Sequence, residues 1–327
     1  MIKEIKIANK TFDLYNHTYV MGILNVTPDS FSDGGQYIDK DAALKRAFQM
    51  VEEGADIIDI GGESTRPGYT PVSAELQIER VIPVIKEIKK NIDIPVSIDT
   101  YDAKVARAAL DAGCDIVNDI WGLRKDPEMA KVIAEYDAFC VLMHNREQPD
   151  YKNFMTDVLT DCAKILGTAA NAGIKEEKII IDPGVGFGKT LEQNLCVIKY
   201  LEDFKGLDVP VLLGTSRKSV IGLTLDLPVD ERLEGTLVTT VMACMKGINF
   251  VRVHDIKENV RAIKMTEAIM NSFVPQINEP QCIYGPPEML NGEKFKNDAI
   301  YDPNKPSTGF DMRDMVSMGN ALNNPNK

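Results

Sequence analysis

Eight short runs of β-branched and aliphatic residues recur along this chain, each followed by a longer segment of helical character. That alternation constrains the fold more than any other feature. The runs are Tyr19–Asn25, Asp56–Ile60, Pro95–Asp99, Asp115–Asp119, Phe139–His144, Lys178–Asp182, Pro210–Gly214 and Asn249–His254. The helical segments are Asp39–Gly54, Ala74–Asn91, Asp102–Ala112, Asp126–Tyr136, Asn153–Ala172, Thr190–Asp203, Arg232–Lys246 and Lys257–Asn271. One strand follows the last at a mean step of about 33 residues, the size of a βα unit. Eight such units in about 250 residues predict an α/β fold of the (β/α)8, or TIM, barrel type. A doubly wound open sheet is the competitor, but it often carries a glycine fingerprint after its first strand, and here that strand runs into Asn25-Val-Thr-Pro28.

Local signals agree with the barrel. Thr190-Leu-Glu-Gln193 reads as a capping box. Gly54, Gly113 and Gly173 each follow a helical segment, where a left-handed residue ends the helix. Ahead of the first strand, Ile2–Leu14 alternates around Asn9-Lys10, which predicts a β-hairpin over the barrel's N-terminal end. These elements make residues 1–274 the barrel domain. Residues 275–327 carry 7 of the 17 prolines and read as an irregular extension. The alternative there is a strap held through Phe295, Tyr301 and Phe310.

The formal charge of −12 argues against nucleic-acid or anionic-membrane partners. Any anionic small-molecule substrate must therefore meet a local cluster of Arg, Lys and backbone N–H groups. No apolar run approaches the roughly 20 residues of a membrane span, and the N-terminus lacks a secretory signal, so a cytoplasmic location is expected. Six scattered cysteines without a CxxC pair fit a reducing compartment.

In such barrels the site lies where strands end and loops begin. The strand ends supply Asn25, Asp99, Asn118, His144 and Asp182. After the seventh strand comes Thr215-Ser216-Arg217-Lys218-Ser219, and the eighth carries Arg252 and His254 on one face. A single charged strand end merely marks the chain leaving the core. Several converging on one mouth predict a polar pocket. Asp115 and Asp119 fall on the opposite face and read as structural. The stretch Asp182-Pro-Gly-Val-Gly-Phe-Gly-Lys-Thr190 imitates a phosphate loop, but Pro183 stands where a Walker glycine is required, and Lys189 where the dinucleotide fingerprint needs its third glycine. Its glycines read instead as permitting close approach of a flat ligand, with Phe187 at the rim.

Seven segments together resemble the dihydropteroate synthases. They are MGILNVTPDSFSDGG (Met21–Gly35), GADIIDIGGESTRPG (Gly54–Gly68), PVSIDTY, DIVNDIWG, IIIDPGVGFGK, LLGTSRKSVIG and VRVHD, in that family's order and over about residues 15–271. The resemblance implies an enzyme that joins a dihydropterin methyl diphosphate to 4-aminobenzoate and releases diphosphate. It implies Asp99, Asn118, Asp182, Phe187, Lys218 and Arg252 as the pterin site. It further implies Asn25, Arg66, Arg252 and His254 for the diphosphate, and Thr65, Arg66, Pro67 and Ser219 for the aminobenzoate. Asp99, Asp182, Lys218 and the loop residue Asp33 are its catalytic group, with Mg²⁺ met through Asn25. The apolar helix Leu233–Met245 predicts a face covered either by the C-terminal extension or by a partner; the family's two-fold dimers imply a homodimer. Two alternatives share the barrel and pterin pocket: a methyltetrahydrofolate–corrinoid methyltransferase and a catalytically silent pterin-binding paralogue. A Schiff-base aldolase using Lys218 is a third, and it requires an apolar setting for that lysine.

Overall fold

A computed structural model of the protein describes residues 2–26, 40–63 and 72–273. It opens with an antiparallel hairpin, β1 (Glu4–Ile7) and β2 (Lys10–Asp13). Strands and helices then alternate: β3 (Tyr19–Asn25), α1 (Lys40–Glu53), β4 (Ile57–Gly61), α2 (Ala74–Asn91), β5 (Val96–Asp99), α3 (Ala103–Asp111), β6 (Ile116–Asp119) and α4 (Met129–Glu135). The second half adds β7 (Phe139–Met143), α5 (Phe154–Asn171), β8 (Ile179–Asp182), α6 (Leu191–Lys199), β9 (Leu212–Leu213), α7 (Ser219–Leu225), α8 (Leu233–Met245), β10 (Phe250–Val253) and α9 (Ile256–Met270).

The strands from β3 onward pair in parallel in the order β8-β7-β6-β5-β4-β3-β10-β9. The ring closes between its ends, where Ile181 bridges Val211 and the Ile181 N–H donates to the Pro210 carbonyl at 2.8 Å. The expected (β/α)8 barrel is therefore present. Its strands carry near-continuous apolar runs because helices cover them outside while side chains fill the inside. At the N-terminal end, alternation in the hairpin turns Ile5, Ile7 and Phe12 onto Tyr19, Phe139, Leu212, Phe250 and their neighbours. The hairpin closes that end, so the polar chemistry is confined to the other.

Helix ends follow local chemistry. Thr190 and Gln193 form the capping box, and Gly54, Gly113 and Gly173 take φ of +102°, +101° and +88°. Three predicted segments differ. The Asp126–Tyr136 helix begins only at Met129, because the Asp126 carboxylate accepts the Glu128 and Ala103 N–H groups and holds a turn there. The Thr190–Asp203 helix ends at Lys199 and passes into 3₁₀ turns over Leu201–Leu207, ending at left-handed Asp208. The Pro210–Gly214 strand shortens to Leu212–Leu213, and α7, a seven-residue helix after it, is additional.

The hairpin and barrel belong to one compact unit, which ends at Asn271. The extension 275–327 and its strap alternative lie outside the described residues, as do Asp33, Thr65, Arg66 and Pro67. Among the described residues no helix is long and apolar enough to cross a membrane.

Candidate active site

Strand register sets the first part of the site. Asn25 on β3, Gly61 on β4, Asp99 on β5 and Asn118 on β6 fall in one row across the mouth. A Cβ at Gly61 would stand 3.7 Å from the Asn25 amide oxygen and 3.8 Å from the Asp99 Cβ, so the two side chains flank the same point. From β10, Arg252 reaches across. Its Nε donates to Asp59 Oδ2 at 2.6 Å and its Nη2 to Asp99 Oδ2 at 2.7 Å. Asn118 Nδ2 donates to the same Asp59 oxygen at 3.1 Å.

Asp182 and Lys218 complete the group. A Cβ at Gly214 would lie 3.5 Å from Asp182 Oδ2, 3.7 Å from Lys218 Nζ and 4.0 Å from the Arg252 Cβ. Asp99, Asn118, Asp182, Lys218 and Arg252, which come from six different parts of the sequence when Asp59 is counted, thus share one neighbourhood. Phe187 joins them, with the Lys218 ammonium 4.7 Å from its ring centre.

Burial governs the charges here. It pushes the Asp99 carboxyl up to about 7; Arg252 opposes the rise and Asp59 adds to it. Asp182 is raised by burial too, against the pull of Lys218 and of the Gly184 N–H, which donates to its Oδ1 at 2.7 Å. Lys218 is brought down to about 8 by burial, with Asp182 resisting. Burial also works against the Arg252 charge, but Asp59 and Asp99 outweigh it and hold that guanidinium firmly protonated. The Asp99 Oδ1 and Asp59 Oδ1 atoms are buried and make no hydrogen bond among the described residues. A ligand bearing N–H groups would suit such carboxylate oxygens.

Asp59 is a site residue that reading the strand ends overlooks. It lies in mid-strand, fully buried, and ties Arg252 to Asn118. The signal was present: a lone acid within Ile57-Ile58-Asp59-Ile60 has no cheap place in an apolar strand unless it is paired.

The remaining residues have contacts of their own. His254 sits beside Ser216, whose hydroxyl lies 3.0 Å from His254 Nδ1, and Ser219 is exposed as the first residue of α7. Arg217 adopts φ of +56° and pairs with Asp255, which matches its charge. Asp119 accepts the Trp121 and Leu123 N–H groups, and Asp115 accepts from Val96 N and Lys89, as expected of structural carboxylates.

The glycines of the β8–α6 loop require a correction. Gly184, Gly186 and Gly188 adopt φ of +70°, +89° and +54°. A Cβ at Gly184 would come within 1.8 Å of the His144 carbonyl oxygen, and one at Gly188 within 2.3 Å of that of Arg146. These two glycines let the loop press on the backbone leaving β7, a role distinct from the ligand approach expected of them.

Among the described residues no three His, Cys, Asp or Glu side chains gather to hold a metal unaided. Asn25 offers an amide oxygen at the mouth. That donor suits Mg²⁺ carried on a phosphorylated substrate, since this ion prefers oxygen, keeps several waters and binds through few protein ligands.

The pterin binding enzyme family matches residues 21–254. A dihydropteroate synthase of Clostridium beijerinckii is 58% identical over 267 residues, covering 81% of this chain and 99% of that protein. The crystal structure of a dihydropteroate synthase from Clostridium difficile, in the presence of pteroic acid, superposes with a TM-score of 0.76 at 53% identity, over 79% of this chain and 99% of that one. The Xanthomonas albilineans dihydropteroate synthase with 4-aminobenzoic acid gives 0.79 at 38% identity, over 84% and 100%.

Proposed function

The chain belongs to the dihydropteroate synthases of the pterin binding enzyme family, and from that membership we propose how its barrel mouth joins a dihydropterin methyl diphosphate to 4-aminobenzoate. The observation that carries the reading is the meeting of Asp99, Asn118, Asp182, Lys218 and Arg252 at one point. A pterin's aminopyrimidinone edge presents adjacent N–H donors. Asp182, a buried carboxylate, accepts both, and this pairing offsets the cost of its burial. Asn118 supplies a donor and an acceptor to the remaining ring edge, Lys218 donates to ring acceptors, and Phe187 borders the ring plane.

The reaction breaks the bond between the pterin methylene carbon and the diphosphate oxygen, whose electron pair leaves with the diphosphate. Asn25, Arg66, Arg252 and His254 hold that leaving group, with His254 steadied by Ser216. Mg²⁺, met by Asn25 when bound, would neutralise part of the diphosphate charge. The remaining methylene cation is stabilised by the carboxylates of Asp99 and Asp182. The amine of aminobenzoate, placed by Thr65, Arg66, Pro67 and Ser219, adds its lone pair to the methylene. The resulting anilinium is acidic enough to lose its proton without a strong base. Asp33 is assigned to the catalytic group, and the cation must be kept from water.

A homodimer in the cytoplasm completes the reading. The inward face of α8 buries Thr236, Thr239 and Thr240, while Val238 and Met245 are 60% and 63% exposed. On the adjoining α9, Met265 and Ile269 are 62% and 61% exposed. A helix that hides hydroxyls and shows Val and Met to solvent presents a surface suited to a second copy. The membership argues for the synthase over the corrinoid methyltransferase and the silent paralogue. Incubation with dihydropterin methyl diphosphate, radiolabelled aminobenzoate and Mg²⁺ tests the activity. Labelled dihydropteroate is expected, and none formed at saturating substrates overturns the proposal.

A further inference from the structure

Lys189 ends the glycine-rich loop that carries Phe187, and the reaction as described gives it no part. Its part-buried ammonium lies 2.9 Å from the Gly184 carbonyl oxygen, 3.1 Å from that of Phe187 and 2.9 Å from His144 Nδ1. Burial brings this amine down to about 7; in its protonated form it has three N–H donors, and each meets one acceptor here. With Nδ1 accepting, the imidazole proton belongs on Nε2, which faces Asp161 at 3.5 Å. Asp161 is itself held by Arg146 at 2.7 Å. The Arg146 guanidinium lies 4.2 Å from the centre of the Tyr151 ring, and the Tyr151 hydroxyl donates to the Gly188 carbonyl at 2.9 Å.

These contacts grip the loop at Gly184, Phe187 and Gly188 from the side of β7 and α5. On the opposite side Lys218 takes the Val185 carbonyl at 2.6 Å. Left-handed glycines make such a loop pliable, so its shape has to be fixed by what binds its carbonyls. We propose that Lys189, with His144 as its seat, is a positioning residue for pterin recognition: it fixes the turn that holds the Gly184 N–H on Asp182 and the Phe187 ring against Lys218. The strut explains why a lysine, and not merely a polar residue, closes this loop. It needs three diverging donors at the end of a long stem, which Ser, Thr or Asn cannot supply.

The inference rests on the pterin-binding reading, and the test separates the two. Steady-state kinetics of wild type, Lys189→Met and Lys189→Arg would be measured for both substrates, beside pterin affinity by fluorescence quenching without turnover. Lys189→Met is expected to raise KM for the pterin diphosphate at least ten-fold. KM for aminobenzoate should change less than two-fold, and kcat less than three-fold. Lys189→Arg should recover most of the loss. Should Lys189→Met fail to fold, Tyr151→Phe frees only the Gly188 carbonyl and should raise the same KM about three-fold. Equal change in both KM values, or none in the pterin KM of either variant, overturns the positioning role while the wild-type activity stands. A wild type that binds no pterin overturns both readings.

Discussion

Asp59→Asn tests the electrostatics of the site most sharply, because Asp59 and Asp99 share the single guanidinium of Arg252. Their mutual repulsion is one reason the Asp99 carboxyl titrates at about 7. Unit charges about 4 Å apart at an effective dielectric of about 20 interact by about 4 kcal/mol, and carboxylates that sit on either side of one guanidinium by less. With the intervening guanidinium absorbing part of that, removing one charge should lower the other's titration by about one to two pH units. The sign is fixed: without the Asp59 charge, ionising Asp99 costs less. Since Asp99 must be ionised to face the methylene cation, kcat/KM for the pterin diphosphate should fall below about pH 7 in wild type. In the variant that acid limb should move to about pH 5–6. Stability has its own signature. A carboxyl raised from 3.8 to about 7 on folding makes the native state bind the extra proton, so stability declines as pH rises across that window. Asp59→Asn should flatten the decline in urea titrations, while the weakened hold on Arg252 costs about 2 kcal/mol. An acid limb still near 7 in the folded variant would refute the reasoning.

Three further outcomes are expected. Asp182→Asn removes the carboxylate that accepts the ring's N–H donors and should weaken pterin diphosphate binding by about 2–4 kcal/mol, at least thirty-fold by calorimetry; an unchanged Kd would rule out edge recognition. Asp99→Asn should slow single-turnover chemistry more than it weakens binding, and a near-normal single-turnover rate would remove Asp99 from cation stabilisation. Val238→Asp, on the exposed face of α8, should yield a monomer by sedimentation at micromolar concentration where wild type sediments as a dimer; identical sedimentation of the two would locate the contact elsewhere.

The barrel is legible in the sequence because parallel strands buried on both faces must be continuously apolar. Tyr19–Asn25 and Ala74–Asn91 match the structure residue for residue. Strand ends point to the mouth for the same reason, since Asp99, Asn118 and Asp182 stand where apolar runs stop. What escapes such reading is set by tertiary contacts. The strand β9 keeps only two residues, a shortening that the apolar run through Val211 does not reveal. Seven-residue α7 is too short to develop a periodic face. Asp59 hides in mid-strand, and Arg252 is committed to two carboxylates that periodicity cannot place beside it. The glycines of the β8–α6 loop announce an unusual backbone, but only packing against His144 and Arg146 shows what that backbone approaches.

A crystal structure of the enzyme with dihydropterin methyl diphosphate measures the heart of the matter. The ring should lie across the barrel mouth, with its N–H edge on the carboxylate of residue 182, its far side toward Asn118 and its plane beside Phe187. A pterin bound anywhere else, or one whose N–H edge faces solvent with Asp182 untouched, would contradict the account.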